Sequence, residues 1–246
     1  MACRILTRPR FVYKPSIGHR PLSITSTVKN VAERSDYLEG FMNSQTPPQS
    51  TVDYFSSLPW TRKFLENQAY KVIPFFSRHL NDHTGENRFF AQTVNSNTTV
   101  PHLLALQLKD LESPEFTSHY GHQSFNTPDP TTPHELICLV SLGRGLDSHP
   151  SIVHGGFQGV IFDEIMRNLI LLHNNNTCEP GPRDIHFTVN MNISYAAPVI
   201  TPGVFLVRSN LAGREGRKWF PKAEIVNSDD VVLTSADSTW VTAKRQ

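Results

Sequence analysis

The tightest constraint on this chain is one run of apolar residues. Between Gly156 and Leu172 the residues Phe157, Val160, Ile161, Phe162, Ile165, Met166, Leu169, Ile170, Leu171 and Leu172 cover most of a helical circumference. A helix that is apolar nearly all round has no face for water and belongs in an interior. Before it, "ELICLVSLG" is a β-rich run ended by Gly143 and Gly145. After it, "DIHFTVNMNISYAAPV" alternates as a strand, and the 203–244 stretch supplies two or three more, with turns at "NSDD" and near "GREG". Strand, long apolar helix and then a run of antiparallel strands predicts an α+β fold, a sheet wrapped around a central helix.

Two acids, Asp163 and Glu164, interrupt that helix. An unpaired carboxylate buried there would cost several kcal/mol, roughly what a desolvated charge demands. One reading pairs Asp163 with Arg167 at i,i+4 and Glu164 with Arg167 or Asn168. The other turns Asp163 toward a cleft. Two turns upstream, "HGG" (His154, Gly155, Gly156) opens the helix and leaves N–H groups unpaired at the positive end of its dipole. Such groups polarise a carbonyl and hold an oxyanion, and glycines let a substrate come close to the backbone. A carboxylate further along can attack or deprotonate water. That pairing suits acyl transfer to water, thioester hydrolysis included. His154 either orients the loop through a hydrogen bond or moves a proton.

Three motifs in this order, "HPSIVHGGFQGVIFDE", "FTVNMNISYAAPV" and "GREGRKWFPKAEI" followed by "VVLTSADSTWV", resemble the hotdog-fold acyl-CoA thioesterase superfamily in its PaaI-like and THEM4-like branch. The resemblance covers about residues 136–243; the N-terminal part matches loosely, through segments such as "SLPWTRKF". It implies an antiparallel sheet around a central helix, a homodimer or dimer of dimers with active sites at the subunit interface, and a role in lipid metabolism. By motif position Asp163 is the catalytic base or nucleophile, Gly156 the N–H that polarises the thioester carbonyl, and His154 and Gly155 shape that loop. Thr188 sits where relatives carry a hydroxyl from the partner subunit, with Asn190 second on the same strand. Gln158 and Glu164 lie near the site by spacing, Glu164 as a fallback carboxylate. No metal or redox cofactor is expected; coenzyme A enters as part of the substrate. Tailoring or release of a carrier-bound acyl chain is the alternative enzyme reading, and a non-catalytic acyl- or partner-binding dimer the alternative outside catalysis.

Composition sets further bounds. The net charge of +1 gives no global field for nucleic acid, so an anionic ligand must be caught locally. Arg208, Arg214, Arg217, Lys218 and Lys222 form a basic group that suits the phosphates of coenzyme A, Arg217 and Lys218 above all, or else simply a solvated edge. No apolar run approaches the roughly 20 residues of a membrane helix. Cys3, Cys138 and Cys178 are too scattered for a disulfide framework or a CxxC metal site, so reduced structural thiols are expected. GxSxG, HExxH, GxxxxGK[ST] and GxGxxG are absent. The first 30 residues carry Arg4, Arg8, Arg10, Lys14, Arg20 and Lys29 without an acid, the composition of a mitochondrial transit peptide. The expected division is a basic leader and linker over 1–50 and one domain over 51–246, in mitochondria, or in the cytoplasm if the leader does not direct import.

Overall fold

A computed structural model describes residues 37–112, 133–177 and 184–243. The basic leader, Cys3, Cys178 and most of the "SHYGHQSFNTPDPTTPH" loop lie outside the described residues.

The apolar run forms a 23-residue helix, α4 (Gly155–Thr177). Its Ile161, Phe162, Ile165, Met166, Leu169 and Ile170 are buried in the main core. Each such side chain contributes roughly 1.5–3 kcal/mol relative to exposure. The partner surface is one face of a seven-stranded, wholly antiparallel sheet, in the order β1-β2-β3-β7-β8-β9-β6. Its strands are β1 (Tyr70–Ile73), β2 (Leu103–Leu108), β3 (Leu136–Leu142), β6 (His186–Tyr195), β7 (Gly203–Glu215), β8 (Lys218–Val226) and β9 (Val232–Thr242). A short hairpin of β4 (Asp147–His149) and β5 (Ile152–Val153) leads into the helix. The fold is therefore a mixed α+β one, with strand and turn positions after the helix as the periodicity predicts.

Ahead of β1 lie α1 (Tyr37–Ser44), α2 (Gln49–Ser57) and α3 (Pro59–Leu65). The stretch 34–50, read as a linker from its polarity, thus contains helix, and Phe41 of α1 is buried with Phe76 and Leu171 of α4. In the aromatic segment after it, Phe55, Trp60, Phe64 and Leu65 pack with Leu104, Leu106, Ile137 and Leu139 on a second hydrophobic layer across the sheet from α4. Two covered faces explain why all seven residues of β3 are buried, and why "LICLVSL" is continuously apolar instead of alternating. β9 is covered on one face only and alternates.

Candidate active site

The site is built where β6, an edge strand, runs along the N-terminal half of α4. Three contacts fix that alignment. Tyr195 Oη donates to the Gly155 carbonyl (3.0 Å). A Cβ on Gly159 would stand 3.1 Å from Ile193 Cδ1, so the missing side chain lets the strand lie close. Thr188 Oγ1 donates to Asp163 Oδ1 (2.6 Å). Strand and helix therefore run antiparallel, and the hydroxyl of Thr188 meets the carboxylate one helical turn past Gly159.

Asp163 is half-buried, and its hydrogen-bonding partner is Thr188. The expected i,i+4 pair with Arg167 does not form. Arg167 Nη2 instead meets Glu86 Oε1 at 3.0 Å, and its Nη1 lies 3.9 Å from Glu164 Oε2. Thr188 reaches Asp163 within one chain, where the resemblance implies a hydroxyl from the partner subunit. The register explains how: Thr188 pairs with Trp240, whose side is turned to the helix.

The same register removes Asn190 from the site. A bulge at 188–190 sets Asn190 opposite Thr239, so Met191 and Ile193 pack on the core and Asn190 falls on the outer, exposed face. A bulge adds one residue and reverses the alternation beyond it. Gln158 is also withdrawn: buried, it accepts from Thr234 Oγ1 (2.6 Å) and donates to the Val153 carbonyl (3.4 Å). Glu164 points to the opposite flank, where Ser77 Oγ donates to its carboxyl. Burial pushes that carboxyl above the usual range, while Ser77 and Arg167 pull it back and the neighbouring acids Asp163 and Glu86 raise it.

At the helix start His154 accepts the Gly156 N–H through Nδ1 (2.9 Å), and its carbonyl accepts the N–H groups of Phe157 and Gln158. The exposed ring thus caps the donor that the sequence assigns to an oxyanion. Gly156 and Asp163 share one helix face, seven residues apart, which at 1.5 Å per residue is about 10 Å along the axis. One carbonyl cannot touch both within a single chain.

The basic group divides. Arg208 is spent on Glu224 (2.7 Å) and Asp230 (2.9 Å) and is not available for phosphate. Arg214 lies over the Trp219 ring at 4.2 Å. Arg217 donates to the Thr242 carbonyl (2.9 Å), and Lys218 is exposed, 3.9 Å from Glu215. These two sit in the β7–β8 turn, at the end of the sheet that holds Thr188, and no contact joins them to Asp163. Sequence reading missed Tyr195, visible only as an alternating strand residue, and Ser77 and Glu86, which carry no local signal.

No family model matches the chain. Over 108 residues it is 30% identical to the Saccharomyces cerevisiae uncharacterized mitochondrial membrane protein FMP10, covering 43% of this chain and 42% of that one. Over 107 residues it is 32% identical to the acyl-coenzyme A thioesterase THEM4 of Rattus norvegicus, covering 43% and 42%. The chain thus spans about two-fifths of the length of these two relatives. A longer match, 23% identical over 215 residues, covers 78% of this chain and 88% of verlamelin biosynthesis protein B of Lecanicillium sp. Among solved structures, zebra fish thioesterase superfamily member 2 aligns over 46% of this chain and 76% of its own, at 15% identity and a TM-score of 0.39. The resemblance to acyl-CoA thioesterases read from the motifs recurs in the THEM4 match, over 43% of this chain.

Proposed function

We propose that this chain is an acyl-CoA thioesterase of hotdog fold, working as a dimer whose active sites each take groups from two copies. The observation that carries the proposal is the Asp163–Thr188 pair, standing in contact with solvent on a buried helix that opens with two glycines. The separation of Gly156 from Asp163 supports the sharing: Asp163 and Thr188 come from one copy, Gly156 and His154 from the other. β6 supplies a surface for a second copy. It is a ten-residue edge strand with Phe187 50% and Val189 63% exposed, the kind of edge that invites pairing.

In this reading water attacks the thioester carbonyl and gives its proton to Asp163, which Thr188 holds in place. Gly156 N–H, released by rotation of the His154 ring, carries the oxyanion. Collapse of the tetrahedral intermediate breaks the C–S bond, and the thiolate takes the proton back, leaving free acid and thiol. Arg217 and Lys218 are the basic groups assigned to the phosphates of coenzyme A in this reading. The match with a protein named for biosynthesis keeps one second reading, tailoring or release of a carrier-bound acyl chain.

The test is free-thiol release from a panel of acyl-CoAs and acyl-carrier-protein thioesters by the chain and its Asp163→Asn variant. The expected result is turnover that falls about a hundredfold or more in the folded variant, the usual scale for a lost general base. Equal rates for both proteins would remove the proposal, and a preference for carrier-bound chains would select the second reading. Mitochondrial residence belongs to the same proposal, supported by the acid-free basic leader and by the yeast relative's name. A tagged chain spread through the cytosol would contradict it.

A further inference from the structure

Asp163 and Arg167 stand at i,i+4 in the order acid before base, the more favourable arrangement for a helical ion pair. Long helical side chains lean back toward the N-terminus, which carries an arginine over the residue four positions before it. Left to the helix, Arg167 would cover Asp163. It does not, because a segment ahead of β2 claims it. Glu86 Oε1 holds Nη2 at 3.0 Å, Glu164 Oε2 lies 3.9 Å from Nη1, and the guanidinium stands over the Phe76 ring, 5.5 Å from its centre.

That segment is fastened in advance. Asn87, with φ at 67°, donates from Nδ2 to the carbonyls of Phe76 (3.1 Å) and His79 (3.0 Å). The Glu86 carbonyl accepts the Asn81 N–H (3.1 Å), and the Asn81 side chain accepts from His83 and Thr84. Ser77 from the same segment binds Glu164. The charged groups around Asp163 are therefore Glu164 and Arg167 on its own helix and Glu86 on the fastened segment, while β6 brings the neutral Thr188.

We infer that Glu86 is a positioning residue that acts through Arg167, drawing the guanidinium away so that Asp163 keeps an unneutralised carboxylate for water. A cation beside a carboxylate stabilises its charged form and makes it a weaker base, and general-base catalysis falls with basicity. The inference rests on the thioesterase reading and places its fine control in a segment outside the 136–243 region of resemblance.

The experiment measures kcat and KM for acyl-CoA hydrolysis by the full chain and by Glu86→Gln, Arg167→Gln and the double variant, with Asp163→Asn as control. Glu86→Gln should lower kcat roughly tenfold with KM unchanged, as a freed Arg167 settles on Asp163. Arg167→Gln alone should stay within about twofold of the parent, and adding it to Glu86→Gln should restore kcat to that level. A merely structural pair gives the opposite pattern, since the double variant is then no faster than Glu86→Gln. That pattern, an unchanged kcat in Glu86→Gln, or a Glu86→Gln protein that does not fold would overturn the inference while leaving the thioesterase reading in place. A parent without thiol release, or one as fast as Asp163→Asn, removes both.

Discussion

Glu164 and Asp163 are neighbours in sequence with opposite environments. Asp163 meets Thr188 beside solvent, whereas Glu164 is drawn under Ser77 and Asn168, whose amide donates to the Glu164 carbonyl (2.8 Å). Desolvation raises the Glu164 carboxyl above its ordinary value, ahead of every other influence on it. Folding therefore makes this group hold its proton more readily than the unfolded chain does. The stability this group contributes is fully present below the ordinary carboxylate range and is lost as pH rises through the raised value. Glu164→Gln keeps an acceptor for Ser77 and removes the ionisation. Its melting temperature relative to the parent should be more favourable at pH 7.5 than at pH 4.5. A difference that is flat, or that runs the other way, would contradict the burial argument. Residue identity alone did not separate these two acids, because one helical step decides which flank each faces.

At the scale of elements, much of the architecture was legible because period reports burial. The all-round apolar run could only be an interior helix, and the alternation after it could only be a sheet with one covered face. Where both faces are covered the signal thins, so β3 read as a β-rich run without saying that α2 and α3 lie across it. α1 was illegible for a different reason: a polar helix holding one anchor, Phe41, has the composition of a linker until its partners Phe76 and Leu171 arrive from far along the chain. The candidate site divides in the same way. Gly155, Gly156 and Asp163 follow from helix spacing. Asn190 lies on the outer face because a bulge between Thr188 and Asn190 reverses the strand's alternation, and Gln158 is buried against the hydroxyl of Thr234. Neither event leaves a mark in the local sequence.

At the scale of the whole molecule, one helix carries both a capped N–H and a solvent-facing carboxylate, and its own geometry keeps them about 10 Å apart. The proposed site draws one of the two from a second copy. β6 borders the carboxylate, lies at the sheet edge and exposes Phe187 and Val189, and the proposed dimer sets a second copy against it. At the opposite end of the sheet, β1 is an edge strand of only four residues. In the proposed dimer, two-fold symmetry gives two equal sites, each with one Asp163–Thr188 pair and one His154–Gly156 start.

Subunit complementation tests that account most directly. Asp163→Asn removes the base, and Gly156→Pro removes the N–H at a helix start where proline is tolerated. Each protein alone should be inactive. Co-expressed in equal amounts, half the dimers are mixed and each restores one of two sites, so about a quarter of the parent thiol-release rate should return. Mixtures that stay inactive at every ratio, while the parent hydrolyses acyl-CoA and the mixed dimers are isolated intact, would contradict a site shared between two copies.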